Sequence, residues 1–251
     1  MSGVAIDAPW AAALQGAVER GELTAYYQPQ FDLRTERIVA VEALARWTHP
    51  EFGSVPPDEF IAVAEETGYV REIGLFMLRT SCRQLATWRA EGFHIEVSVN
   101  VSPIELVHPT FARDVLAILE DCGTRPDEVT LEVTETLPIE DGPHLLDGLD
   151  EVRAAGMSIS IDDFGVGYAS VERVQDLRAN ELKIDKSLIR DGDGVALETA
   201  IGHAKEAGIR IVAEGVETAE HLERARALQS DRAQGYLLGR PVPAEQLRLT
   251  A

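Results

Sequence analysis

Six stretches of this chain read as β-strands, and each carries a residue able to bind a cation or a phosphate. They are Val41-Glu42-Ala43-Leu44, Val97-Ser98-Val99-Asn100-Val101, Leu131-Glu132-Val133, Ile159-Ser160-Ile161-Asp162-Asp163, Leu182-Lys183-Ile184-Asp185 and Ile211-Val212-Ala213-Glu214. Strands buried on both faces of an α/β protein normally run as unbroken Val, Ile and Leu. An unpaired carboxylate in such a place costs several kcal/mol. A cost repeated at regular intervals argues for one shared site that needs charge. Glu42, Asn100, Glu132, Asp162, Asp163 and Glu214 offer oxygen only, which suits Mg²⁺ or Mn²⁺ rather than zinc.

Adjacent Asp162 and Asp163 leave their strand on opposite sides, so Asp162 can bridge two ions while Asp163 turns back to one. Two ions roughly 3.5–4 Å apart suit in-line attack on phosphorus. Charge balance points the same way. Five carboxylates against two divalent ions, Lys183 and Arg46 leave a net +1, which accepts a phosphodiester; one ion leaves −1, and Asp185 lowers each figure by one. Lys183 is suited to orient an attacking water and stabilise its charge, or to protonate the departing oxygen. Arg46 shares the face of Glu42 and has the fork to grip a phosphate. Each residue also has a plainer reading. Glu42 and Arg46 form an exposed pair, Asp162-Asp163 a turn with a helix cap, Lys183-Ile184-Asp185 an edge strand, and Glu214 to Glu217 a helix start. All of these must hold at once for the site to vanish.

The elements that position these residues follow from periodicity. Strands are expected over 24–30, 38–46, 95–101, 129–134, 157–162, 181–185, 209–213 and 232–237, with helical patterns filling most gaps. Helices are expected over 10–20, 58–66, 111–122 and 195–207, the last two closed by Gly123 and Gly208. Strands alternating with helices imply a parallel sheet, and eight strands in about 250 residues favour a (β/α)8 barrel of the TIM type. The link Arg34-Thr35-Glu36-Arg37 is too short for a helical crossover, so the first strand should be antiparallel. Residues two apart share a face. Ser98 and Asn100, Thr130 and Glu132, Ser160 and Asp162, and Lys183 and Asp185 should therefore point into the barrel. Their chemical ends fall at the C-terminal mouth, where barrel enzymes act.

Composition narrows the rest. The chain has 251 residues, 45% hydrophobic and 26% charged, with a formal net charge of −20. That surplus disfavours DNA and anionic membranes as partners. No apolar run approaches the roughly 20 residues of a membrane helix. Residues 1–9 read as a leader without a signal peptide's basic region, followed by one domain over 10–251, and the expected location is cytoplasmic. Cys82 and Cys122 lack metal-ligand spacing, and the histidines are scattered, so a zinc site is not expected.

Taken in order, the motifs resemble the EAL domain family of cyclic di-GMP phosphodiesterases. Glu42-Ala43-Leu44 with Arg46 is the signature, and Tyr27-Gln28-Pro29, Asn100-Val101-Ser102, Glu132-Val133-Thr134-Glu135, Asp162-Asp163-Phe164-Gly165, Lys183-Ile184-Asp185, Glu214-Gly215-Val216-Glu217 and Gln234-Gly235-Tyr236 follow over about residues 10–248. The resemblance implies a barrel with an antiparallel strand and hydrolysis of cyclic di-GMP to linear pGpG. It places Glu42, Asn100, Glu132 and Asp162 on one metal, and Asp162, Asp163 and Glu214 on the second. It gives Lys183 the attacking water, Glu214 the base, and Gln28, the Leu44 backbone, Arg46, Asp185 and Gln234 the substrate. Glu135 would anchor the loop after Asp163, which in such proteins links the metals to a dimer interface, and Glu217 would support the second metal. Ca²⁺ is expected to bind unproductively, since its looser geometry misplaces the water.

This sequence departs from the family at Val166 and Ala169, where Thr and Ser are usual, and at Lys186, where Arg is common. The loop changes bear on rate and dimer coupling rather than on the metals. Two other readings stand beside hydrolysis of cyclic di-GMP: a silent receptor that binds it and signals to a partner protein, and a two-metal phosphoesterase for another substrate. Sensory and cyclase motifs are lacking, so the chain is expected to stand alone or to be a piece of a longer protein.

Overall fold

The computed structural model describes residues 8–134, 143–164, 177–191 and 201–249. The first two strands, β1 (Leu23–Asp32) and β2 (Ile38–His49), form an antiparallel hairpin. Asp32 makes the turn: its Oδ1 accepts from the backbone N–H of Arg34 (3.1 Å) and Thr35 (2.6 Å). Asp is suited to this, because its short side chain bonds the backbone two residues on. β3 (Gly53–Val55) adds a second, outer hairpin to the far end of β2.

Six further strands follow: β4 (Glu96–Asn100), β5 (Val129–Thr134), β6 (Ser158–Phe164), β7 (Glu181–Ile184), β8 (Arg210–Ala213) and β9 (Arg232–Ala233). They run parallel from β2 through β4 in sequence order to β9. β1 then closes the ring, antiparallel to both β9 and β2. The barrel is thus a (β/α)8 barrel with one reversed strand, as the short β1–β2 link requires.

The helices are α1 (Ala11–Leu14), α2 (Pro57–Thr67), α3 (Val70–Ala90), α4 (Pro103–Leu106), α5 (Phe111–Cys122), α6 (Pro143–Ala154), α7 (Lys186–Asp191), α8 (201–206) and α9 (Ala219–Ala227). α5 has the limits its periodicity gives. Phe111, Val115, Ile118 and Leu119 are buried, and Gly123 ends the helix at φ 62°. Burying each such side chain is worth roughly 1.5–3 kcal/mol. α2 begins with Pro57 and ends at Gly68, left-handed at φ 77°, the usual asymmetry of helix ends.

Two expectations change, and a third is covered only in part. The helix over 10–20 stops at Leu14, because Gln15 is extended and Gly16 is left-handed at φ 81°. Of the helix expected over 195–207, residues 201–207 lie within the described residues and 201–206 are helical. The strand over 232–237 is only two residues long. After Ala233 the backbone pairs with the loop at Val216 instead: Val216 N donates to Gln234 O (3.0 Å) and Leu237 N to Val216 O (3.0 Å). Gly235 permits this approach, since a Cβ there would lie 2.2 Å from the Val216 nitrogen.

Parity inside the barrel is as expected. Val97, Leu131, Ile159, Leu182 and Ile211 are buried on the outer face, against the helices. Ser98, Thr130, Glu132, Ser160 and Lys183 are buried on the inner face. β6 has one irregularity. Ile161 pairs with Leu182 and Phe164 with Ile184, so the backbone positions 162 and 163 both fall opposite Lys183 in the register. One extra residue on a strand is a bulge, a device that re-aims side chains next to active sites.

Candidate active site

Strand ends at the C-terminal mouth deliver four carboxylates to one ammonium. Lys183 Nζ lies 2.8 Å from Glu214 Oε1, 2.9 Å from Glu132 Oε2, 3.1 Å from Asp162 Oδ1 and 3.3 Å from Glu42 Oε2. Lys183 is 1% exposed, so this charge is carried almost without water. Two amides extend the network. Gln234 Nε2 donates to Glu42 Oε2 (2.6 Å) and Glu214 Oε1 (2.8 Å), and Asn100 Nδ2 donates to Glu42 Oε1 (3.0 Å).

With every group ionised, these four acids and one lysine would carry three negative charges in excess. The acid–base state reflects that surplus. Burial pushes the Glu132 carboxyl well above the usual carboxylate range, and the charge of Glu42 adds to it against the pull of Lys183. Burial likewise raises Glu214, to about 8, with Asp162 and Glu42 adding to it. Burial also disfavours charge on Glu42, but Lys183, Gln234 and Asn100 outweigh it and hold that carboxyl below its ordinary value. Lys183 is lowered by burial and raised further by its four acids, ending well above the usual ammonium range.

The residues fit a divalent cation. One oxygen each from Glu42, Glu132 and Asp162 lie within 4.8 Å of one another. Glu132 Oε1 is buried and has no hydrogen-bond partner among the described residues. A buried acceptor left unmade costs about 1–3 kcal/mol, and a cation satisfies it. An all-oxygen donor set matches a hard ion.

Two cavities open beside this cluster. The smaller, about 260 Å³, is lined by Gln28, Leu44, Asp162, Asp185, Glu214 and Gln234 among others. The larger, about 650 Å³, meets it at Leu44 and Asp162 and runs past Arg46 and Asn100 toward α2 and α3. Gln28 donates to Gly239 O (3.1 Å), and Asp185 Oδ1 accepts from Ser187 N (2.8 Å) at the start of α7. Arg46 lies over the Tyr26 ring, 5.4 Å from its centre.

The expected residues thus converge, with distinctions. Glu42, Asn100, Glu132, Asp162, Lys183, Glu214 and Gln234 form one bonded network. Gln28, Leu44, Arg46 and Asp185 line the cavities. Glu217 lines the smaller one but is exposed. The helix-start reading of its segment also holds in part, since Thr218 Oγ1 accepts from His221 N (3.2 Å) to cap α9. Glu135, Val166 and Ala169, and the side chain of Asp163, lie outside the described residues.

Some polar groups were not singled out by the sequence reading. Ser102 N donates to Glu105 Oε2 (3.0 Å) and Ser102 Oγ to Glu65 Oε1 (2.7 Å), giving the larger cavity an acidic wall. Burial pushes Glu105 up to about 8. Its signal was the Ser-x-x-Glu spacing of a capping box, which α4 forms. A second charged group closes the other end of the barrel. Arg210 bonds Glu96 (3.0 Å) and Glu181 (3.1 Å), and Arg232 bonds Glu96 (2.8 Å).

The chain belongs to the EAL domain family, which its residues 11–241 match. Relatives include the bifunctional diguanylate cyclase/cyclic di-GMP phosphodiesterase MucR of Pseudomonas aeruginosa. It is 39% identical over 241 residues, covering 93% of this chain and 35% of MucR. The cyclic di-GMP phosphodiesterase PA2567 of the same organism is 35% identical over 226 residues, 88% of this chain and 38% of that protein. A solved structure of the PaMucR phosphodiesterase with c-di-GMP superposes with a TM-score of 0.87 at 36% identity, covering 94% of this chain and 98% of that one. The chain spans about a third of the length of the curated relatives it matches. No helix among the described residues is long and apolar enough to cross a membrane.

Proposed function

We propose that this chain hydrolyses cyclic di-GMP to linear pGpG with two divalent cations, Mg²⁺ or Mn²⁺. The observation that carries the reading is the mouth itself: four strand-end carboxylates on one buried ammonium, with Glu132 Oε1 unpartnered. Family membership and the names of MucR and PA2567 supply the substrate. Glu42, Asn100, Glu132 and Asp162 would hold one ion, and Asp162, Asp163 and Glu214 the other. When bound, the pair supplies Lewis acidity that activates water and offsets phosphate charge.

The protein's own groups do the rest. Gln28, the Leu44 backbone, Arg46, Asp185 and Gln234 hold the nucleotide across the two cavities, so that one phosphorus faces the mouth. Water attacks in line; the new P–O bond forms as the bond to the 3′ oxygen breaks. Glu214, ionised once the cations offset its neighbours' charge, takes a proton from the water and returns one to the departing 3′ oxygen. Lys183 stabilises charge on the attacking oxygen. The product keeps a 5′ phosphate and a free 3′ hydroxyl. The chain forms one domain over 10–251 that pairs as a homodimer, and it works alone or joined to a sensory or regulatory region.

The test is to incubate purified protein with cyclic di-GMP and Mg²⁺ or Mn²⁺ and chromatograph the products. The reading predicts pGpG with either metal and none with chelator. Binding without pGpG under both metals would make the chain a silent receptor.

A further inference from the structure

The smaller cavity holds a second lysine with a different situation from the first. Lys183 is committed to four carboxylates. Lys186, at the start of α7, is exposed and lines the same cavity; among the described residues it makes no hydrogen bond or ion pair. These two are the cations of the lining, whereas Glu42, Asp162, Asp185, Glu214 and Glu217 are its acids.

The position of Lys186 is built from both sides. Before it, Asp185 Oδ1 caps α7 through Ser187 N (2.8 Å). Across from it, Gly215 is left-handed at φ 60°, and a Cβ there would lie 2.2 Å from Lys186 Cβ and 3.2 Å from its Cα. Only the bare glycine leaves room for the lysine stem. Gly215 directly follows Glu214, so this contact fixes Lys186 against the wall of the carboxylate cluster. In a chain of net charge −20, an anion approaching the mouth is repelled until local positive charge takes over.

We propose that Lys186 is a substrate-binding residue whose ammonium pairs with a phosphate oxygen of the anionic nucleotide. This rests on the proposed function, since the substrate must be a phosphodiester. Lys183 holds the cluster together, and Lys186 receives the charge that arrives.

The experiment measures the Kd of cyclic di-GMP in Ca²⁺, and KM and kcat in Mn²⁺, across a salt series. The proteins are the wild type, Lys186→Gln, Lys186→Arg and Arg113→Gln. Lys186→Gln should raise Kd about tenfold, as for a lost charged hydrogen bond, and flatten the salt dependence, with the loss falling on KM more than on kcat. Lys186→Arg should stay within about threefold of wild type. Arg113 is an exposed residue of α5 paired with Asp114; its variant removes the same formal charge and should match wild type. A Lys186→Gln protein with unchanged Kd and salt slope would overturn the inference, as would an equal effect from Arg113→Gln. A wild type that neither binds nor cleaves cyclic di-GMP would instead overturn the proposed function, and this inference with it.

Discussion

The two ends of the barrel are built from the same inward positions and treat charge in opposite ways. At the floor, Glu96, Glu181, Arg210 and Arg232 are the first residues of β4, β7, β8 and β9. Two acids meet two guanidinium groups, and the layer is neutral. Burial would raise Glu96, but Arg232 and Arg210 outweigh it and hold its carboxyl below the ordinary range. At the mouth, Lys183 stands two residues further along β7 and Glu214 four beyond Arg210, and with Glu42, Glu132 and Asp162 from β2, β5 and β6 four carboxylates meet one ammonium. Ser98, Thr130 and Ser160 separate the layers with uncharged groups. A balanced buried network is a structural closure; an unbalanced one stays costly until a cation arrives. The mouth is the end where barrel chemistry is placed.

The largest expected effects lie at the mouth. Asp162→Asn should abolish turnover, as should Glu42→Ala, measured by product formation at saturating Mn²⁺. Retained activity in Asp162→Asn would remove the two-ion scheme. Lys183→Ala should lose about 10²–10⁴-fold in kcat while still binding Mn²⁺ in a dialysis assay. At the floor, Arg232→Met leaves Glu181 and Glu96 short of a partner and should cost about 3 kcal/mol by urea unfolding. That loss should be the same with and without Mn²⁺, at unchanged kcat/KM. Relief of the floor variant by metal would erase the distinction between the ends.

A smaller effect is pH dependence without metal. Glu214 goes from an ordinary value of 4.5 to about 8 in the folded protein, and Glu132 is raised as well. Between those values the folded state holds more protons than the unfolded state, so stability falls as pH rises. The metal-free midpoint of thermal unfolding should decline from about pH 5 to pH 8. Saturating Mn²⁺ should flatten the decline, because the bound ions take the place of the protons. An equal decline in both conditions would place its source elsewhere.

The mouth was legible because each of its acids breaks an apolar run. Parity then puts Glu42, Asn100, Glu132, Asp162 and Lys183 on one face. The floor was open to the same rule, since Glu96 stands two before Ser98 and Glu181 two before Lys183. These residues sit at strand starts, where a charge also reads as the end of a loop. The bulge at Asp162-Asp163 was not legible: adjacent residues on a regular strand face apart, and only the register with β7 shows them sharing one partner. β3 and the shortened β9 escaped for a related reason. Each depends on a distant backbone, Trp47 to His49 for one and Val216 for the other.

Counting bound ions tests the central claim, that the mouth carries surplus negative charge in order to hold divalent cations. Metal-free protein is dialysed against Mn²⁺ and the bound metal measured per chain, beside Asp162→Asn and Arg232→Met. Two ions are predicted for wild type and Arg232→Met, and one or none for Asp162→Asn. No bound Mn²⁺ in folded wild type at millimolar concentrations would contradict the account.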